Sequence, residues 1–233
     1  TYTGAVAKPA LRIIDHLENE ITETSKYTIT YYTDPSYTTP IVSPTEVGTY
    51  YIKVKGVTDA FMTGELGTPA DPISYKIIPK SMASDTMSFA LNGRPTDKDT
   101  ILGFTYSGKS IQPKLTIKDS GRTGNESLVE NTDYTVKYYG DAAFSQELTS
   151  TDQFVNAGDY YIRVTGINTY DGSVYDIHYQ VTPKILQNVT MTVADQTYTG
   201  SEVIPAKSAV TVKDTTVNVT LTEDDFEIIG CAN

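Results

Sequence analysis

The chain has 233 residues and carries 29 acidic against 18 basic side chains, so its formal net charge is -11. This acidity disfavours binding to nucleic acid or to an anionic membrane, because both call for a basic surface, and solubility is its simplest explanation. The single cysteine, Cys231, excludes an intrachain disulfide and a thiolate metal cluster. No run reaches the roughly 18 apolar residues of a membrane-spanning helix, so we expect no membrane segment in this sequence.

An internal repeat organises the sequence. The run 46–56 recurs with the same pattern as 156–166, and in both runs a glycine precedes a stretch of alternating apolar and polar residues. A Tyr-x-Gly motif stands at Tyr2, Tyr106 and Tyr198, at offsets of 104 and 92 residues. Self-similarity of this kind indicates a repeated structural unit.

The repeat predicts three segments, named here by their residues: segment 1 is 1–80, segment 2 is 81–184 and segment 3 is 185–233. Segments 1 and 2 both close with Pro-Lys, at Lys80 and Lys184. Segment 3 stops before the counterparts of the later strands. We therefore expect it to be incomplete, and we expect the chain to be a fragment of a longer protein.

Segment 1 reads as short strands separated by turn residues. Within 11–23 the apolar residues lie nearly on one helical face, but the counterpart at 115–119 indicates a strand before a Gly-rich turn. The repeat therefore favours a strand over a helix there. The alternating rows at 27–32, 50–55 and 73–77 predict half-buried strands, with Ile73 among the residues pointing inward.

Segments 2 and 3 continue the pattern of strands. Segment 2 opens with a predicted strand at 87–91, and the alternation in its repeated run places Ile162 inside and Arg163 outside. On this register Ile162→Asp should unfold the segment, since it buries an unpaired charge, whereas Arg163→Asp should be nearly silent. Segment 3 has a matching opening strand at 189–193. Two further strands are predicted there, at 210–212 and 226–228.

Short strands, Gly and Pro turns and rows rich in Tyr, Val, Ile and Thr are typical of antiparallel β-sandwiches. Segment 2 also carries a set of motifs, which are Tyr106-Ser107-Gly108, Asp133-Tyr134-Thr135-Val136, Asn156-Ala157-Gly158 and Gly166-Ile167-Asn168-Thr169-Tyr170-Asp171-Gly172. This set resembles the mostly bacterial Ig-like repeats of the MBG or YDG type. Segment 1 departs from it, reading Phe61-Met62-Thr63-Gly64 in place of Tyr-Asp-Gly.

The resemblance implies an all-β fold of tandem Ig-like antiparallel β-sandwich repeats, with the third repeat incomplete. It also implies an extracellular location on a bacterial cell surface. Because each motif is short and belongs to a turn or a strand, the resemblance says more about architecture and location than about a ligand.

No group of residues points to catalysis, a metal or a cofactor. His16 and His178 occupy unrelated positions, whereas a zinc site would need them together with further ligands. Asp224 and Asp225 lack the spacing of a calcium loop and suit a solvated turn better. The many acidic residues leave a glycosidase carboxylate pair conceivable, but no motif indicates a cleft. We expect no enzymatic activity and no cofactor.

Tyrosine is the unusual feature of the composition, with 18 residues and no tryptophan. The outward-facing positions Tyr32, Tyr51, Tyr139 and Tyr161 suit stacking against sugars or a partner's side chains. Cross-strand pairs that stiffen a sheet are the simpler explanation of these four positions. The resemblance implies a non-enzymatic stalk, spacer or adhesive repeat region of a bacterial cell-surface protein. The alternative is a module that binds a glycan or a host surface protein through these tyrosines.

Two further hypotheses concern links within and between molecules. Surface adhesins can carry Lys-Asn isopeptide bonds, and Lys114, Lys118 and Asn168 are candidates, although the turn motif also explains Asn168. An incomplete segment 3 would expose apolar faces and open strand edges. A head-to-tail self-contact between molecules is one way to cover them.

Overall fold

A computed structural model describes residues 1–15, 17–57, 63–185, 188–201, 203–216 and 218–229. These residues are mostly β-structure, in several sheets whose strand pairs are largely antiparallel. Helical structure among them is limited to single 3₁₀ turns such as Thr151–Phe154. The all-β prediction is confirmed. The predictions made for His16, Cys231 and the Phe61-Met62 pair lie outside the described residues.

The chain divides into two compact units. Unit 1 consists of Thr1–Asp99, Lys114–Lys137 and Ile162–Ile177. Unit 2 consists of Thr100–Pro113, Tyr138–Tyr161 and His178–Asn233.

Unit 1 contains two sheets of its own. The larger has the strand order β2-β1-β3-β4, with β5 also paired to β3. Its strands are β1 (Tyr27–Tyr32), β2 (Pro40–Ile41), β3 (Gly48–Gly56), β4 (Glu65–Leu66) and β5 (Ile73–Ile77). The smaller sheet has the order β7-β6-β9. Its strands are β6 (Met87–Leu91), β7 (Arg94–Thr96) and β9 (Leu115–Asp119).

A second five-stranded sheet is built from β8 (Leu102–Thr105), β10 (Tyr134–Tyr139), β11 (Glu147–Leu148), β12 (Gly158–Gly166) and β13 (Val174–Thr182). Its order is β11-β10-β12-β13-β8. Unit 2 also holds a three-stranded sheet, β14-β15-β16. Its strands are β14 (Val189–Val193), β15 (Val210–Asp214) and β16 (Val219–Thr220).

One strand pair departs from the predicted antiparallel arrangement. Strand β8 runs parallel to β13, from the pair Leu102 and Tyr179 to the pair Thr105 and Thr182. A tight hairpin forces its two strands to be antiparallel, but strands joined by a long connection are free to pair either way. Because β8 and β13 are far apart in the sequence, no hairpin sets their direction.

The repeated run forms the long strands β3 and β12, which lie inside their sheets. Alternate side chains of both are buried, namely Tyr50, Ile52 and Val54 in β3 and Tyr160, Ile162 and Val164 in β12. The predicted register of both strands is confirmed. Ile73 is nevertheless 38% exposed. It begins β5, which has β3 as its neighbour at one edge of the sheet, so less of the protein packs over it.

In the stretch 11–23, the described residues on either side of position 16 pair through an isolated bridge between Ile14 and Glu20, where a helix was the competing expectation. The amide of Asp15 donates to the carbonyl of Asn19 over 2.9 Å, and that of Ile21 donates to Ile13 over 2.8 Å. An isolated helix of this length is marginal in water, so pairing along the chain outweighs the helical pattern of apolar residues. The repeat was the better guide to this stretch.

Segment 3 confirms two of its three predicted strands, β14 and β15. The apolar positions 226–228 lie outside the named strands, which corrects the third prediction. One edge of β15 is paired with β14 along all five residues, and the other edge is paired with β16 only at Lys213 and Asp214. The apolar row of β14 is exposed, by 38% at Val189, 66% at Met191 and 45% at Val193. The head-to-tail contact stays a prediction.

Candidate functional site

Two of the predicted binding tyrosines, Tyr32 and Tyr51, lie directly opposite each other on β1 and β3 of unit 1. The ring of Tyr37, in the turn after β1, meets both edge-on, with centroids 5.2 Å from Tyr32 and 6.3 Å from Tyr51. Tyr37 is buried, and its backbone is left-handed at φ 57°. The turn thus folds an aromatic ring over the sheet between the two tyrosines.

Unit 2 repeats this arrangement around Phe144. Its ring lies 5.2 Å from that of Tyr139 and 6.0 Å from that of Tyr161, and its φ is 55°. Asp141 holds the turn by accepting the backbone amides of Ser145 and Gln146 over 3.2 and 2.6 Å. These amides lower the pKa of Asp141 below its ordinary value. The turn-forming group is therefore a carboxylate at neutral pH.

The predicted tyrosines have intramolecular neighbours where open stacking faces were expected. Tyr139 is only 8% exposed, which corrects its assignment as an outward residue. The Phe144 turn lies against its ring, and alternation along a strand cannot reveal a turn that folds back. Tyr161 stacks on His178 with 4.5 Å between centroids, while Tyr32, Tyr51 and Tyr161 are half-buried. This geometry favours cross-strand packing over a binding platform.

Four inner tyrosines make matching contacts in the two units. Tyr50 stacks on Tyr75 with centroids 5.6 Å apart in unit 1, and Tyr160 stacks on Tyr179 at 5.2 Å in unit 2. The Tyr75 hydroxyl donates to the carbonyl of Ala7 over 2.9 Å, and the Tyr179 hydroxyl donates to Ile111 over 3.0 Å. Each hydroxyl thus ties the closing strand of its segment to the stretch after the Tyr-x-Gly motif.

We expect the protein to lose stability at alkaline pH partly through Tyr75. Burial raises the pKa of Tyr75 from 10.0 to about 12. The folded state holds the hydroxyl proton of Tyr75 more tightly than the unfolded state does. The stabilisation that results is complete below pH 10 and is lost as the pH rises toward 12. Denaturant unfolding over this range should give a smaller decline of stability for Tyr75→Phe than for the parent. Equal declines would contradict the assignment.

A buried ion pair joins segments 1 and 2 within unit 1. Lys80, which follows Pro79 and β5, places its Nζ 2.6 Å from Oδ1 of Asp119 at the end of β9. The same oxygen accepts the Thr86 hydroxyl over 2.7 Å and the Gly121 amide over 2.9 Å. The Tyr170 hydroxyl donates to Oδ2 over 3.0 Å. Asp119 is 0% exposed, so every hydrogen bond it makes replaces one to water.

The donors around Asp119 decide its charge. Burial acts to raise the pKa of this carboxyl, but the hydrogen bonds from Lys80, Thr86, Gly121 and Tyr170 together leave the pKa below its ordinary value. Tyr170 is affected in the opposite direction. Its burial, and then its hydrogen bond to Asp119, raise the pKa of its hydroxyl well above the ordinary value. At neutral pH the group is thus an ionised pair with a neutral phenol attached.

A corresponding pair joins segments 2 and 3 within unit 2. Lys184, which follows Pro183 and β13, reaches Oδ2 of Asp214 at the end of β15 over 2.5 Å. The Thr216 amide donates to Oδ1 of Asp214 over 2.8 Å, as the Gly121 amide does for Asp119. Asp214 is 3% exposed. The lysine of a closing Pro-Lys motif therefore meets a buried aspartate of the following segment in both units.

The glycines of the Tyr-x-Gly motif lie at the same two junctions. Gly4 has φ +70°, and a Cβ there would lie 3.1 Å from the carbonyl oxygen of Thr123. Gly108 has φ +68°, and a Cβ there would lie 2.8 Å from a methyl of Val219. Both the left-handed backbone and the close approach of the next segment favour glycine. The Thr123 amide also donates to the carbonyl of Thr3 over 2.8 Å.

The first junction has aromatic contacts as well. The rings of Tyr2 and Tyr170 meet edge-on with centroids 6.2 Å apart. The guanidinium of Arg122 lies 6.0 Å from the centre of the Tyr2 ring and donates to Asp133 over 3.1 Å. Tyr2, the first residue of its motif, therefore packs against residues of segment 2.

Two of the residues considered for metal binding or crosslinking, Asp225 and Asn168, have other partners. Asp225 accepts the amide and hydroxyl of Thr222 in a turn, over 2.8 and 2.7 Å. The side-chain amide of Asn168 donates to the carbonyl of Thr132 over 2.7 Å. The backbone φ of Asn168, 53°, suits a turn. Within the described ranges, no three His, Cys, Asp or Glu side chains gather as a metal ion would require. No helix in those ranges has the length and apolarity to cross a membrane.

The aspartates and lysines of the junctions were missed as functional residues by sequence reasoning, although a signal for them existed. Asp119 lies 104 residues after Asp15, and Lys184 lies the same distance after Lys80. The repeat therefore marked both partners, but only the fold shows that a lysine of one segment meets an aspartate of the next.

A scan against protein-family models found no matching family, and a search of curated proteins found no match.

Proposed function

We propose that the chain is a non-enzymatic spacer, built of tandem Ig-like repeats, in a bacterial cell-surface protein. One observation carries this proposal. The closing Lys80 and Lys184 are each paired with a buried aspartate of the following segment, Asp119 and Asp214. A spacer has to transmit position from one segment to the next, and buried contacts that recur at successive junctions suit that role. The surface location rests on the resemblance of the motifs.

The matching contacts within the segments support the same proposal. The rings around Tyr37 and Phe144 have nearly the same geometry. The hydroxyls of Tyr75 and Tyr179 donate equivalent hydrogen bonds in their segments. Equivalent contacts in successive segments are expected of repeated Ig-like units. The half-buried tyrosines then serve as sheet-stiffening pairs in each repeat.

Distance measurement between spin labels tests the spacer function. Labels at cysteines replacing Ser43 in segment 1 and Glu126 in segment 2, with Cys231 changed to serine, should give one narrow distance distribution. Lys80→Met should broaden it, because the charge that pairs with Asp119 is lost, with circular dichroism showing that the sheets remain. Lys98→Met, at an exposed lysine, is the matched control and should leave it narrow. A broad distribution in all three proteins would contradict the proposal.

The alternative is a module that binds a glycan or a host surface protein. A glycan array and a pull-down with the unlabelled chain test it on the same protein. We expect no saturable binding. Saturable binding that Tyr161→Ala abolishes, while the protein stays folded, would replace the spacer with the binding module.

A further inference from the structure

A tyrosine side chain fills the space beside the ion pair of the first junction. The hydroxyl of Tyr170 donates to Oδ2 of Asp119 over 3.0 Å, and its ring meets that of Tyr2 edge-on with centroids 6.2 Å apart. Tyr170 is 0% exposed. Its side chain therefore connects the Tyr-x-Gly motif of one segment with the buried aspartate of the next.

The second junction, within unit 2, has a cavity of about 350 Å³ beside its ion pair. Tyr106, Lys184 and Asp214 line this cavity, and they correspond in the repeat to the tyrosine, lysine and aspartate of the first junction. The exposed Ala157 lines it too, so it can be reached from solvent. The volume lies within the range of pockets that bind small ligands.

Two residues of the cavity lining are less covered than their counterparts at the first junction. Tyr2 is 5% exposed, whereas Tyr106 is half-buried. Leu128 and Leu221 also correspond, since their amides donate to the equivalent strands β9 and β15. Leu128 is 7% exposed, whereas Leu221 is half-buried. The cavity thus exposes surfaces that are covered at the first junction.

The polar side of the cavity suits a hydroxyl group. Nζ of Lys184 is buried and, apart from its ion pair with Asp214, makes no hydrogen bond within the described residues. An ammonium has three N–H donors, so it can donate to a further oxygen. Oδ1 of Asp119 accepts three donors at the first junction, so several donors fit around an aspartate at this position. A phenol can accept from the ammonium or donate to the carboxylate.

We infer that this cavity is a binding site for a tyrosine side chain, carried on a turn like that of residues 166–172. The ring packs against Tyr106, as aromatic rings do edge-on, and the hydroxyl lies at the pair Lys184 and Asp214. The partner is defined by its chemistry, which is a phenol on a turn of another Ig-like segment of this type. The inference does not depend on the spacer function, because it uses only the cavity and the correspondence of the two junctions.

A peptide with the sequence of residues 164–174 tests the inference on the full chain. Fluorescence anisotropy of the labelled peptide should show saturable binding. Tyr170→Phe in the peptide should weaken binding by about tenfold or more, as loss of a hydrogen bond to a charged group does. Ala157→Trp in the chain should abolish binding by filling the cavity, while Ala142→Trp, at an exposed alanine outside its lining, should not. Equal binding of both peptides, or by both chain variants, would overturn the inference.

para-Cresol, which is the tyrosine side chain as a free molecule, provides a second measurement. A ligand of the folded state stabilises it, so para-cresol should raise the melting temperature of the chain, and toluene, without the hydroxyl, should raise it less. para-Cresol should also displace the peptide, which assigns both to one site if Ala157→Trp does not fold. Without a rise in melting temperature the cavity is no phenol site, and without peptide binding its partner is no tyrosine turn.

Tyr170→Ala provides the positive control, because it opens the matching space at the first junction. para-Cresol should raise the melting temperature of this variant by more than that of the parent. A rise for Tyr170→Ala alone would show that only the first junction accepts a phenol, and it would contradict the inference. The spin-label distances of the chain test the spacer separately, so failure of the inference and failure of the proposed function remain distinguishable.

Discussion

Replacing Lys80 with alanine should lower the free energy of unfolding by about 3–5 kcal/mol, the usual cost of breaking a buried ion pair by removing one partner. The reason is Asp119, which is 0% exposed and would keep its charge without the ammonium 2.6 Å away. The remaining donors, Thr86, Gly121 and Tyr170, stabilise the carboxylate but are all neutral. Chemical denaturation monitored by circular dichroism measures the loss.

Lys98→Ala is the matched control for this prediction. Lys98 also pairs with an aspartate, Asp99, but both side chains are largely exposed, at 67% and 78%. Water and salt screen such a pair, so its removal should change stability little. Similar losses for Lys80→Ala and Lys98→Ala would show that burial of the junction pair has no energetic consequence.

Ile162→Asp should destabilise the protein by about 4–5 kcal/mol or more, which is the range of the most damaging single substitutions. Ile162 is 0% exposed at the centre of β12. An aspartate there would place an unpaired charge in an apolar interior and remove the packing of the isoleucine. Thermal unfolding should show the loss as a large fall of the melting temperature or as an unfolded protein.

The neighbouring residue provides the control for Ile162. Arg163 points to the other face and donates to both carboxylate oxygens of Asp176, each over 2.9 Å. This pair means that Arg163→Asp would bring two carboxylates together, which corrects the expectation of a nearly silent change. Arg163→Gln is the better control, with an expected loss of about 1 kcal/mol or less. Comparable losses for Ile162→Asp and Arg163→Gln would show that the register is wrong.

The sequence predicted strands well wherever one face of a strand is buried. Tyr50, Ile52 and Val54 repeat every second residue, and the period of side chains in a strand is also two, so β3 was predictable. At 11–23 the repeat argued correctly against a helix, although the described residues hold only an isolated bridge between Ile14 and Glu20 in place of the predicted strand. The positions 226–228 have the same alternation but lie outside any named strand, because a strand also needs a partner edge, and no local pattern reports that.

The candidate site was predictable only in part, for a related reason. Alternation places Tyr139 outward on its strand, yet the ring of Phe144 covers it through a left-handed turn. The partnership of Lys80 with Asp119 is a contact between segments, 39 residues apart in the chain. The repeat marks both residues as positions that recur, but it carries no information about which of them meet.

A double-mutant cycle on Lys80 and Asp119 tests the central claim most directly, that a buried ion pair couples neighbouring segments. The single changes Lys80→Met and Asp119→Leu each leave one partner without its counterpart, whereas the double change leaves an apolar contact. We predict that the double variant loses about 2–3 kcal/mol less stability than the two single losses together, the range of strongly coupled neighbours. Losses that add to within about 0.5 kcal/mol, as distant sites do, would contradict the claim.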